Sequence, residues 1–141
     1  MENQRRKFIQ QTGLIAASTA FLPNALWSAT RPQKEKLGIA LVGLGYYSTD
    51  LLAPALQLTK HCELKGIVTG SPNKIPMWKE KYGILDKNIY DYEGMDRIAD
   101  NPDIDVIYIV LPPSMHAEYT IRAANTGKHV WCEKPMAPSV A

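Results

Sequence analysis

From Leu37 onward, short apolar runs alternate with longer stretches of mixed polarity. Residues 37–42 form one unbroken apolar run, and residues 105–111 hold a second, Val106-Ile107-Tyr108-Ile109-Val110. Such runs, without polar alternation, suit strands of a parallel sheet covered on both faces. Residues 64–69, 88–92 and 128–132 read as three further strands, the middle one weak. Between the first two strands, residues 47–60 carry Leu51, Leu52, Ala55, Leu56 and Leu58 near helical spacing. Pro54 interrupts that face, and a kink or restart is expected there, because proline lacks an N–H and crowds the preceding turn. Pro72 opens a helix that runs to Tyr82 and is capped by Gly83. Residues 94–100 form a short helix. Residues 114–126 form an amphipathic one, with Ser114 as its N-cap and Gly127 at its end. Strand and helix alternate with short connections, which predicts a doubly wound, right-handed, mostly parallel α/β sheet.

The first strand runs straight into Gly43-Leu44-Gly45-Tyr46-Tyr47-Ser48. In a strand–turn–helix setting these glycines predict a dinucleotide site in a Rossmann fold. The first permits the tight turn, and the second lets backbone N–H groups approach a pyrophosphate. The helix N-terminus then adds partial positive charge. Ser48 takes the third small position, where Gly or Ala is usual. At the end of the second strand, Val68-Thr69-Gly70-Ser71-Pro72-Asn73-Lys74 contains no carboxylate. A carboxylate there would hold the ribose 2′-hydroxyl of NAD and repel a 2′-phosphate. Its absence, with Ser71 as a donor and Lys74 as a charge, favours NADP over NAD.

Charge changes the picture only at the start of the chain. The net charge is +2, and residues 1–36 hold six Lys/Arg against two Glu, while ten basic and twelve acidic residues make up the rest. The basic excess belongs to the leader, so no nucleic-acid surface is expected. Residues 1–30 resemble a twin-arginine export signal, with Arg5-Arg6-Lys7-Phe8-Ile9 followed by a modest apolar stretch from Leu14 to Leu22. That stretch is shorter than the roughly 20 residues of a membrane span. Trp27-Ser28-Ala29 makes a poor cleavage signal, which leaves both a released periplasmic form and an uncleaved membrane tether open. Residues 31–36 form a polar linker. Cys62 and Cys132 have no metal-ligand spacing and read as buried or half-buried thiols, and no metal site is expected. The chain stops at Ala141 where a further helix would begin, which is the expectation for part of a longer protein.

The segment Gly127-Lys128-His129-Val130-Trp131-Cys132-Glu133-Lys134-Pro135 and the segment Leu111-Pro112-Pro113-Ser114-Met115-His116 carry a more specific signal. With the glycine turn, they resemble the Gfo/Idh/MocA oxidoreductases over residues 37–141. Pro113 stands where that family commonly has Asn, so the hydrogen bond of an Asn is not expected here. The resemblance implies that Gly43, Leu44, Gly45, Tyr46 and Tyr47 contact the pyrophosphate and adjoining groups, and that Ser71 and Lys74 hold the 2′-phosphate. Leu111, Pro112 and His116 would line the nicotinamide side. Glu133 and Lys134 would stand at the reaction centre, with Lys134 moving the proton of the substrate hydroxyl, and Pro135 would shape the turn. His129, Trp131 and Tyr108 read as strand packing. The resemblance also implies a second domain, an open antiparallel sheet that completes the pocket, so the 141-residue chain alone is expected to be inactive. The complete protein is expected to be a homo-oligomeric sugar or polyol oxidoreductase. Two alternatives stay open, an NAD-dependent glycosidase of the same family and a non-catalytic dinucleotide sensor.

Overall fold

A computed structural model describes residues 34–137. The leader at residues 1–30 and the first half of the linker lie outside the described residues. Five strands, β1 (Leu37–Val42), β2 (Cys62–Val68), β3 (Ile89–Tyr90), β4 (Val106–Ile109) and β5 (His129–Cys132), form one parallel sheet in the order β3-β2-β1-β4-β5. This is the doubly wound order, with the chain reversing direction across the sheet beside β1. β1 is central, and Ile39 through Val42 are wholly buried. Because side chains alternate faces along a strand, Ile39 and Leu41 join one core with Ile67, Ala53 and Trp78. Ala40 and Val42 join the other, with Ile107, Ile109, Tyr119 and Ala123.

The helices differ from expectation in detail. Residues 47–60 do not form one kinked helix. A π-helical turn, Tyr47–Leu52, leads into α1, Ala53–Gln57, with Pro54 in its first turn. Proline has no N–H to give there, so the α-helical pattern restarts around it. The helix stops before residue 60, and the Thr59 hydroxyl donates to the carbonyls of Leu56 and Cys62. A 3-10 turn, Pro72–Lys74, precedes α2, Ile75–Tyr82, and Gly83 closes α2 at φ +66. β3 is only two residues long, since Asn88 belongs to a 3-10 turn and its side chain bonds Asp103 and Asn101. The expected short helix at residues 94–100 is 3-10. The last helix, α3, spans Pro113–Asn125. Ser114 is not its cap. Pro112 takes that position and Pro113 is the first helical residue, where a missing N–H is tolerated. Both cysteines are free and half-buried, as read from the sequence.

Ile109 sits in the core beneath the carboxyl end of the sheet. Ile109→Ala is expected to lower unfolding stability by about 2–4 kcal/mol in urea denaturation, through lost burial and a cavity. Ile121→Ala, on the exposed face of α3, should stay within about 0.5 kcal/mol.

Candidate functional site

The carboxyl ends of the strands meet at one edge, and the backbone there is cross-linked past the strands themselves. Gly43 N–H donates to the Val68 carbonyl at 2.9 Å, Val110 N–H to the Val42 carbonyl at 2.9 Å, and Glu133 N–H to the Ile109 carbonyl at 3.0 Å. Gly43 has φ +95, and a Cβ built on it would lie 2.5 Å from the Val110 carbonyl oxygen. Only glycine meets both conditions without strain. Gly45 contrasts with it, since a Cβ there would meet nothing within 4 Å. The open space faces a helix start with no side-chain cap, so the first backbone amides are not taken by a capping residue. Ser48 is wholly buried, and its hydroxyl donates to the Gly43 carbonyl at 2.6 Å. The third small residue of the motif therefore ties the helix back onto the turn.

A cleft of about 370 Å³ opens at this edge, lined by Gly45, Tyr46, Tyr47, Leu111, Pro112, His116, Glu133 and Lys134, with Val110 and Pro113. Eight of the twelve sequence-predicted site residues thus come together. Gly43 and Leu44 do not line it, and the Leu44 side chain lies in the core. Ser71 and Lys74 do not line the cleft. They stand at the end of β2, where Ser71 N–H donates to the Thr69 hydroxyl at 3.0 Å. The Lys74 ammonium donates to the Leu44 carbonyl at 2.6 Å, which joins this loop to the glycine turn. A larger hollow of about 600 Å³ opens at the opposite edge, among Lys36, Cys62, Lys65, Lys87 and Asp103. Two of its lysines are spent on carboxylates, in Lys65–Glu63 and Lys87–Asp103, and none of the sequence-predicted site residues lines it. The smaller cleft is the candidate site.

His116 is buried, with Nε2 at 2.7 Å from the Leu111 carbonyl and Nδ1 at 2.6 Å from the Pro135 carbonyl. A neutral ring donates to one of these and a doubly protonated ring to both. The imidazole thereby joins the two loops that follow β4 and β5. Its ring nitrogens are occupied by the protein, so its observed work is to hold the wall of the cleft. The Lys134–Pro135 peptide is cis. Lys134 is exposed, and among the described residues none of the recorded ion pairs includes it.

Tyr108 was read from the sequence as packing, and the structure gives it a second part. Its ring meets the edge of Trp131 on the neighbouring strand, with centroids 5.7 Å apart. Its hydroxyl donates to Oε1 of Glu133. Burial, and then the Glu133 carboxylate, pushes the phenol well above its ordinary ionisation range, so it stays protonated as a donor. One signal in the sequence pointed there: a tyrosine within an aliphatic buried strand needs a partner for its hydroxyl. Trp131 and His129 are exposed on β5.

Comparison with known proteins places this geometry. Residues 37–141 match the model of the oxidoreductase family with an NAD-binding Rossmann fold, Gfo/Idh/MocA. The chain is 49% identical to an aldose–aldose oxidoreductase from Caulobacter crescentus of known structure, at a TM-score of 0.70, over 72% of this chain and 30% of that one. It is 31% identical to a dTDP-3,4-didehydro-2,6-dideoxy-α-D-glucose 3-reductase from Streptomyces violaceoruber, over 74% of this chain and 29% of that protein. Scyllo-inositol dehydrogenase from Lactobacillus casei, solved with NAD(H) and scyllo-inositol, is 27% identical at a TM-score of 0.62, over 74% of this chain and 29% of that one. Another similar structure, a 3-ketoreductase from Actinomadura kijaniata, holds NADP. The chain therefore spans less than a third of the length of these relatives. Because that family model matches residues 37–141, well over half of the chain, the chain belongs to the Gfo/Idh/MocA oxidoreductases and supplies their NAD(P)-binding Rossmann domain.

Proposed function

We propose that the complete protein is an exported, NADP-dependent oxidoreductase of the glucose–fructose oxidoreductase type, acting on the carbinol carbon of a sugar or polyol. The observation that carries this reading is the meeting of an open Gly45 with Glu133 and Lys134 across one cleft. The residues present fit a dinucleotide. Space stands over Gly45 where a pyrophosphate needs close approach, and the following helix start has no side-chain cap. Gly43, Leu44, Gly45, Tyr46 and Tyr47 would hold it there through backbone and ring contacts. Ser71 and Lys74 would take the 2′-phosphate, and Leu111, Pro112 and the His116-held wall would flank the nicotinamide. Bound there, the dinucleotide supplies the hydride acceptor and donor. Lys134 takes the hydroxyl proton as the carbinol becomes a carbonyl and returns it on reduction.

Export supports a tightly held cofactor. Twin-arginine transport carries folded proteins, so a dinucleotide loaded in the cytoplasm travels bound. Outside the cytoplasm it would be recycled by an oxidised and a reduced sugar in turn. On this reading the partners are the twin-arginine machinery, a sugar or polyol and further copies of the protein. The protein works in the periplasm, either released or tethered by its leader.

Denaturing the complete protein purified from the exported fraction, without added cofactor, should release NADP(H) at about one per chain, identified by mass. Release of NAD instead would overturn the assignment of Ser71 and Lys74 and favour the glycosidase alternative. Gly45→Ala should leave thermal stability nearly unchanged, because its Cβ meets open space. It should also weaken dinucleotide binding by about tenfold or more, equal to about 1.4 kcal/mol, in a fluorescence titration. Lys74→Met should weaken NADP about tenfold more than NAD, since only the 2′-phosphate uses its charge. Equal losses for both dinucleotides would assign Lys74 to the shape of the turn alone.

A further inference from the structure

Glu133 is fixed at two points. Its N–H donates to the Ile109 carbonyl, and its carboxylate accepts from the Tyr108 hydroxyl one strand away. The next residue, Lys134, leaves the sheet at a bend. Adjacent opposite charges would be expected to pair at a surface, yet the carboxylate is turned onto β4. Among the described residues, none of the recorded ion pairs includes Lys134.

We propose that Tyr108 is a positioning residue of the reaction centre, holding the Glu133 carboxylate on the β4 side of the cleft and so keeping Lys134 unpaired for the substrate hydroxyl. The inference rests on the reading of Lys134 given above. Tyr108 is suited to the task in three ways. Its ring is braced against Trp131, so the hydroxyl is delivered from a fixed direction. The phenol stays protonated across the physiological range, so it is a donor that a carboxylate must accept. Tyr47 of the glycine turn and Glu133 line the same cleft, so the carboxylate that Tyr108 holds stands where the glycine turn faces the loop after β5. Released from Tyr108, the Glu133 carboxylate would be free to swing to the neighbouring ammonium and hold it as an ion pair, which opposes proton uptake from a substrate.

Two measurements test this. In the 141-residue chain labelled with 13C at tyrosine Cζ, the Tyr108 resonance is identified by its loss in Tyr108→Phe. It should move upfield in Glu133→Ala, and an unmoved resonance would show that the contact is absent and overturn the proposal. In the complete enzyme, Tyr108→Phe keeps the ring and should lower kcat about tenfold, with the dinucleotide KM within about twofold. Added to Glu133→Gln, the same change should alter kcat by less than about twofold, because Tyr108 acts through Glu133. An equal loss in both backgrounds would make Tyr108 a packing residue and overturn the role. A wild-type enzyme that turns over no sugar or polyol overturns the functional reading and this role with it. A resonance shift still present would then separate that outcome from loss of the Tyr108–Glu133 contact.

Discussion

The first glycine of the turn occupies a place no other residue can take. β1 lies between β2 and β4 with Ile39 through Val42 wholly buried, and at its end the chain must turn without leaving the sheet. Gly43 does so at φ +95 while its N–H donates to Val68 and its Cα faces the Val110 carbonyl. That contact sets the spacing between the glycine turn and the loop after β4. A side chain at residue 43 would push the glycine turn and the loop after β4 apart. Ser48, hydrogen-bonded to the Gly43 carbonyl, draws the helix down onto the same point. The glycine-turn end of the cleft is thus fixed by backbone geometry, with few side chains involved.

The opposite wall is built differently. The loop after β5 follows an edge strand of four residues, with a neighbour on one side only among the described strands. Its position depends on three hydrogen bonds from elsewhere: Glu133 N–H to Ile109, Tyr108 to the Glu133 carboxylate, and His116 to the Pro135 carbonyl. Two of the three are side-chain bonds made from β4 and α3. The Glu133-Lys134-Pro135 loop is therefore aligned by residues whose own backbones lie in rigid elements. Buried side-chain anchors of this kind have to be satisfied at both ends, and removing either partner leaves a costly orphan.

Periodicity carried the fold well because two inner strands, β1 and β4, are largely buried and read as continuous apolar runs. The five strands, their order of appearance and the two closing glycines, Gly83 and Gly127, were all legible. Helix detail was not. The π-helical turn at Tyr47–Leu52 leaves no trace in an apolar pattern that fits several helical pitches, and tandem prolines moved the start of α3 ahead of Ser114. At the site, the glycine turn and the Glu133-Lys134-Pro135 loop were visible because short motifs carry their chemistry in adjacent residues. Tyr108 was not, because its partner is 25 residues away and meets it only through the β4–β5 register that sets Tyr108 opposite Trp131. His116 was visible as a residue, but its bonds to two carbonyls, one of them 19 residues away, depend on how α3 docks.

On the proposed reading, Lys74 serves both the shape of the site and the choice of cofactor. Its ammonium spends one donor on the Leu44 carbonyl and keeps two more. On the proposed reading, a 2′-phosphate can be held by those remaining donors without releasing the glycine turn. A neutral 2′-hydroxyl gains little from the same charge. A carboxylate at the end of β2, as in sites that favour NAD, would compete for this ammonium and pull it from Leu44. The absence of an acid between Val68 and Lys74 then has two consequences that reinforce each other. It would leave a cation for the extra phosphate, and it leaves that cation tied to the glycine turn.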